Sequence, residues 1–210
     1  MNLSDGNDRL NYLLNQSGIP PLDPPTQSQF EAYVSLFIRW NDRINLSAIR
    51  SEDEILSRHI VESIIVARSL PAGIHSLLDF GSGGGLPGIP IALCRPEIAV
   101  TLAESQNKKA AFLQEALRIL GIKARVYSAR AETLLELFDC VILRAVDRMP
   151  KAVAAASKLA GPKKWLALMT TVAELPQLQS AAGEQFSWAA PVRLPGSDAR
   201  ILALGKKISS

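Results

Sequence analysis

A mostly parallel α/β sheet of seven strands, closed by an antiparallel hairpin and preceded by a helical extension, is the fold that this 210-residue sequence predicts. Three observations lead there. The apolar run Leu77-Leu78-Asp79-Phe80 stops abruptly in Gly81-Ser82-Gly83-Gly84-Gly85-Leu86-Pro87-Gly88, the pattern of a strand, a tight loop and a helix whose amides face a ligand. From His75 onward, short β-like runs alternate with helical ones, which implies right-handed crossovers between parallel strands. The last two apolar runs, 185–193 and 199–207, join through Pro195-Gly196-Ser197-Asp198 and lie too close together for a crossover.

Taken in order, Leu3, Leu10, Leu13 and Leu14 give residues 3–17 the stripe of a short amphipathic helix, which Gly18-Ile19-Pro20-Pro21 ends. A second helix starts near Thr26 and runs to about residue 43 on Phe30, Tyr33, Val34, Phe37, Ile38 and Trp40. The charged turn Ser51–Glu54 opens a third, which reaches about Leu70 with Ile55, Leu56, Ile60, Ile64 and Ile65 inside. Residues 1–70 therefore form the extension and 71–210 the sheet domain. Strands are expected at 76–80, 99–104, 124–128, 138–143 and 164–169, followed by the two hairpin strands. Helices are expected at 88–94, 107–120, 149–159 and 172–182, the first of them started by Pro87. An antiparallel hairpin at the end of a parallel sheet suits a seven-stranded methyltransferase fold better than a six-stranded dinucleotide-binding one.

Composition narrows the class. No apolar stretch approaches the roughly 18 residues that span a bilayer, and the first residues lack a basic-then-apolar signal pattern, so a cytoplasmic protein without membrane contact is expected. Cys94 and Cys140 are too few for a metal site or a disulfide scaffold and read as buried thiols. A net charge of +3 and a pI near 9.0 permit a polyanionic partner without requiring one.

In open α/β sheets the ligand lies beyond the carboxyl ends of the strands. Gly83-Gly84-Gly85-Leu86-Pro87-Gly88 satisfies the dinucleotide fingerprint G-x-G-x-x-G, which decides nothing alone. Asp79, ahead of the G-x-G-x-G of Gly81, Gly83 and Gly85, favours S-adenosylmethionine, because a carboxylate there suits its cationic methionine end and opposes a pyrophosphate. Glu104 ends the second strand with a carboxylate for ribose hydroxyls, and Ala131 and Glu132 follow the third, where they would flank the adenine. Arg144 ends the fourth and points a guanidinium at the mouth of the site, opening a basic edge with Arg148 and Lys151 that Lys163, Lys164, Arg193, Arg200, Lys206 and Lys207 could extend, the C-terminal lysines reading more simply as a solvated charged face. Asn41 and Asn45, two amides within one turn, could read a nucleobase edge or cap the next segment. His59 has no Asp or Cys partner at a useful spacing and reads as structural or as a substrate contact. No group of side chains suggests a metal.

Three blocks carry a resemblance to a known family: Trp40-Asn41-Asp42-Arg43-Ile44-Asn45-Leu46-Ser47-Ala48-Ile49 with His59-Ile60-Val61-Glu62-Ser63; Leu78-Asp79-Phe80-Gly81-Ser82-Gly83-Gly84-Gly85-Leu86-Pro87-Gly88-Ile89-Pro90; and Phe138-Asp139-Cys140-Val141-Ile142-Leu143-Arg144-Ala145-Val146. The chain resembles the RsmG (GidB) family of 16S ribosomal RNA guanine-N7 methyltransferases. The resemblance implies methyl transfer from S-adenosylmethionine to N7 of one guanine in the 530 loop, on 16S rRNA or the 30S subunit, by an enzyme expected to be a monomer. It also implies cofactor contacts at Gly81, Leu86, Ala131, Glu132 and Arg144. Where the family usually has Ala-Leu-Lys-Gly on the fifth strand, this chain reads Ala167-Leu168-Met169-Thr170. A small-molecule methyltransferase, or an RNA- or ribosome-binding module that has lost turnover, remains the alternative, and a dehydrogenase is weakened by the lack of a Tyr-x-x-x-Lys pair.

Overall fold

The computed structural model describes residues 3–208, with side chains from Arg9 onward, so the side chain of Leu3 lies outside the described residues. Helix α1 (Leu3–Gln16) is followed by α2 (Pro24–Ile44), which starts two residues ahead of Thr26. The reason is a cap: the Asp23 carboxylate accepts from the Thr26 NH at 3.0 Å and from its hydroxyl at 2.8 Å, while Pro24 and Pro25 occupy the first turn, where an NH would find no partner.

The third helix is not one regular helix. α3 (Glu52–Glu54) leads into a π-helical stretch, Ile55–Val61, and then α4 (Glu62–Ser69). Ile55, Leu56, Ile60 and Val61 of the π-helical stretch are buried, as is the run Glu62–Ala67 that follows it.

The strands are β1 (Ser76–Phe80), β2 (Ala99–Ala103), β3 (Arg125–Tyr127), β4 (Phe138–Arg144), β5 (Ala160–Thr171), β6 (Phe186–Trp188), β7 (Val192–Arg193) and β8 (Arg200–Lys207). Their order is β3-β2-β1-β4-β5-β8-β6, with β7 also paired to β8. β1 to β5 run parallel and β8 inserts antiparallel between β5 and β6. The expected strand 185–193 is broken into β6 and β7 around Pro191, which has no NH to give to a ladder. β5 is longer than expected, because the register jumps between Phe138↔Ala160 and Cys140↔Trp165 and takes up the extra residues, with Lys163 at a φ of +59°. As β5 continues to Thr171, α8 (Leu175–Ala182) begins at residue 175 and not 172.

The remaining helices, α5 (Gly88–Cys94), α6 (Asn107–Leu120) and α7 (Met149–Leu159), follow β1, β2 and β4. Alternation along the strands splits the core in two. Leu77, Cys140, Ile142, Ala167 and Met169 join Phe30, Phe37, Ile64 and Phe112 on one side; Leu78, Val141, Leu143, Leu166 and Leu168 join Val153, Ala156 and Leu178 on the other. The N-terminal helices thus share a continuous apolar cluster with the sheet and with α6.

Candidate active site

A cleft of about 850 Å³ opens at the carboxyl ends of β1, β2, β3 and β4, within the range of cofactor sites. Its floor is the glycine loop. The NH groups of Gly81 and Ser82 both donate to the Ala103 carbonyl, at 3.0 and 2.9 Å, tying the loop to the end of β2. Gly83 adopts a φ of +54°, and a Cβ there would meet nothing closer than the Gly81 carbonyl at 4.0 Å, so the space above it is free for a ligand.

The neighbouring glycines serve packing. A Cβ on Gly84 would come within 2.5 Å of the Phe37 ring, one on Gly85 within 2.5 Å of Ile89, and one on Gly88 within 2.3 Å of Leu102. The Tyr33 hydroxyl donates to the Gly84 carbonyl at 2.6 Å, so α2 is clamped directly against the loop. Gly81, Gly83 and Leu86 line the cleft, whereas Gly85 is turned away from it into contact with Ile89 and Leu113. Pro87 precedes α5 as its cap residue, so the helix starts at Gly88 and not at the proline.

Asp79 takes a different place from the one expected. Its side chain is 1% exposed beneath the loop and accepts from the Gly88 NH at 3.0 Å, capping α5, while the cleft wall is formed by its neighbours. Burial pushes its carboxyl up to about 7, against the opposing pull of the Gly88 NH and Ser82. Asp79 thus shapes the loop from beneath and is not among the residues that line the cleft.

Glu104 is in the cleft, with one carboxylate oxygen accepting from the Gly83 NH at 3.0 Å and the other from the Gln106 NH at 2.7 Å. Each oxygen keeps accepting capacity for a hydroxyl. Ala131 and Glu132 line the facing side on a short 3₁₀ turn, Ala131–Thr133, with Glu132 paired to Arg130 at 3.6 Å.

Arg144 lines the cleft, as its strand-end position predicts, but its guanidinium is held by the N-terminal helices, donating to the Arg58 carbonyl at 2.7 Å, to Glu62 at 3.1 Å and to Ser63 Oγ at 3.4 Å, and meeting His59 Nδ1 at 3.0 Å. Arg58 and Glu62, and His59 and Ser63, are four residues apart and so share one face of the helical segment across the junction of the π-helical stretch with α4. Glu62, 1% exposed, holds a second guanidinium, Arg200 Nε, at 2.6 Å, so one carboxylate joins the extension to both β4 and β8. Desolvation raises the Glu62 carboxyl and the two arginines lower it.

His59 is accordingly not alone. Its Nε2 lies 2.8 Å from Ser47 Oγ, and burial, with Arg144 beside it, lowers its pKa to about 3. The missing signal was distance in sequence, since its partners are a serine and an arginine from other elements. Asn41 is corrected as a substrate contact: it is 1% exposed and spans the following loop, accepting from the Ser47 NH at 2.8 Å and donating to the Ile49 carbonyl at 2.9 Å. Asn45 ends α2 at a φ of +52°, accepts from Arg50 and lies outside the cleft lining.

Arg148 and Lys151 line the mouth as expected, and Lys109 and Arg130, which sequence reasoning passed over, join them. Both follow a strand end, so the rule that found Glu104 would have found them. The proposed extension of this rim is corrected: Lys164 pairs with Asp139, Arg193 with Asp198, Arg200 with Glu62, Lys206 lies over Trp165, and Lys207 donates to the Ser157 and Ala160 carbonyls. Met169, 6% exposed, belongs to the apolar cluster beside Arg144 in the β4–β5 register. Cys140 is buried and Cys94 partly so, with its thiol pushed up to about 11. Among the described residues no cluster could hold a metal, and no helix is long and apolar enough to cross a membrane.

A family model described as GidB, rRNA small subunit methyltransferase G, matches residues 26–199. Ribosomal RNA small subunit methyltransferase G from Xanthomonas campestris pv. campestris is 37% identical over 181 residues, 84% of each chain. The protein of the same name from Stenotrophomonas maltophilia is 40% identical over 173 residues, 78% of each. Among solved structures, a ribosomal protein L11 methylase from Lactobacillus delbrueckii subsp. bulgaricus superposes with a TM-score of 0.59 at 12% identity, covering 71% of this chain and 79% of that one, a likeness of fold alone.

Proposed function

We propose that this chain, which belongs to the rRNA small subunit methyltransferase G (GidB) family, transfers a methyl group from S-adenosylmethionine to N7 of a guanine in the 530 loop of 16S rRNA. The observation that carries the reading is the cleft itself, with an open glycine loop and a strand-end carboxylate on one side and a basic rim of Lys109, Arg130, Arg148 and Lys151 around its mouth.

The residues present fit the cofactor. The space over Gly83 admits its methionine part, Glu104 offers lone pairs to ribose hydroxyls, and Ala131 stands at the start of a turn whose first NH groups have no partner within it. S-adenosylmethionine supplies an activated methyl carbon on a sulfonium. Guanine N7 already presents a lone pair, so the protein has no proton to remove before attack. Its task is to align nucleophile and methyl carbon, for which an effective molarity of about 10⁵ M or more is the ordinary gain. That His59 has both ring nitrogens engaged agrees with a site that needs no general base.

The rim supplies phosphate contacts that position the RNA. The substrate is taken as 16S rRNA or the 30S subunit, met in the cytoplasm by a monomer. An open mouth with four basic residues favours RNA over the closed apolar pocket that a small-molecule methyltransferase would need.

The test is methyl transfer from labelled S-adenosylmethionine to small subunits that lack the modification, mapped by N7-specific cleavage. One modified guanine in the 530 loop is expected. No transfer despite cofactor binding would favour a module without turnover. Replacing Arg148 and Lys151 with Ala should lower RNA affinity and reduce the slope of log affinity against log salt by about two.

A further inference from the structure

We infer that the Ser47 hydroxyl is a donor-only group that recognises the O6 carbonyl of the target purine, with His59 and Arg144 fixing the direction of its proton. This rests on the methyl-transfer reading above and adds a specificity determinant to it.

The chain of donors runs outward from Arg144. A guanidinium can only donate, so the 3.0 Å contact from Arg144 to His59 Nδ1 makes that nitrogen an acceptor. The same guanidinium donates to the nearby Arg58 carbonyl at 2.7 Å. With burial and Arg144 keeping the imidazole neutral, its single proton sits on Nε2 and points at Ser47 Oγ, 2.8 Å away. The Ile49 NH reaches the same oxygen at 3.1 Å.

Two donors fill both lone pairs of Oγ, and the hydroxyl proton is what remains. No described hydrogen bond uses it, and Ser47 lines the same cleft as Gly83, Glu104 and Ala131. Only an acceptor can be met there. On the purine edge that carries N7, guanine offers O6 as an acceptor, whereas adenine offers the N6 amino group as a donor. Guanine completes the chain, and adenine would set two donors against each other.

The test uses the full-length protein and small subunits reconstituted with guanine or with 2-aminopurine, which keeps N7 but lacks O6, at the target position. The parent should prefer guanine in kcat/KM. Ser47→Ala should lose about ten- to a hundredfold of that preference, the worth of one good base contact, and Ser47→Thr, which keeps the hydroxyl, should restore it. An unchanged preference in Ser47→Ala, or equal loss on both particles, overturns the assignment and leaves Ser47 a loop-forming residue. No transfer by the parent to the guanine particle fails the methyl-transfer reading itself, and the assignment with it. ¹⁵N spectra of the His59 ring should show the Nε2–H tautomer from pH 5 to 8; the Nδ1–H tautomer would overturn the relay.

Discussion

On the strand-end side of the cleft the wall is backbone, an open space over Gly83 whose loop amides are held by Ala103 and Glu104, whereas on the helical side it is made of side chains that grip one another across long stretches of sequence. The first kind of wall joins two successive strand ends, Gly83 lying 21 residues from Glu104. The second is tertiary, because Glu62 finds Arg144 82 residues away and Arg200 138 residues away.

The contrast is broken most severely at Glu62. Glu62→Ala leaves two guanidinium groups facing a buried space with no counter-ion and should cost about 3 kcal/mol, read from urea denaturation. A loss under about 1 kcal/mol would mean that the helical wall stands without its ionic junction. Gly83→Asp should act on the other wall alone. Its left-handed backbone costs a side chain about 1 kcal/mol, while the added carboxylate fills the open space beside Glu104, so cofactor affinity should fall tenfold or more by calorimetry. Unchanged affinity would remove the space over Gly83 from cofactor binding.

The two walls also titrate in opposite senses. His59 drops from 6.5 to about 3, so between those values the unfolded chain binds a proton that the folded one refuses, and its contribution to stability is lost as pH falls. Asp79 rises from 3.8 to about 7, so in its window the folded chain keeps a proton that the unfolded one releases, and its contribution is lost as pH rises. Between about pH 4 and 6.5 the two slopes oppose. Relative to the parent, His59→Asn should flatten the acid-side loss of stability and Asp79→Asn should steepen it, each by at most about 1.4 kcal/mol per pH unit in denaturation midpoints across that range. Identical slopes in all three proteins would show that neither group is perturbed.

What could be read from the sequence follows the same division. The glycine loop, the strand ends and the closing hairpin are written in neighbouring residues, and the cleft opens beside the residues that follow β1, β2, β3 and β4. Asp79 was read for its charge, but a carboxylate that caps the helix beyond the loop satisfies the same position. Arg144 lines the cleft as a strand end predicts, but its grip on Arg58 and Glu62 is not legible, because a strand end says nothing of which way a long side chain turns. The π-helical stretch escapes a reading of apolar periodicity, which sees one amphipathic helix, and the meeting of His59 and Glu62 with Arg144 is invisible because more than 80 residues separate them. Ser47 carries no signal of its own, since its chemistry comes from the tautomer of a histidine 12 residues on.

The outermost strands of the sheet are its shortest. β3 has three residues, and on the far side the partner of β8 is cut by Pro191 into pieces of three and two. An edge that long offers too few free NH and carbonyl groups to template another chain, and a proline interrupts what row there is. The sheet is thereby closed to growth by strand addition, and its two flanks discourage aggregation without any help from the cleft.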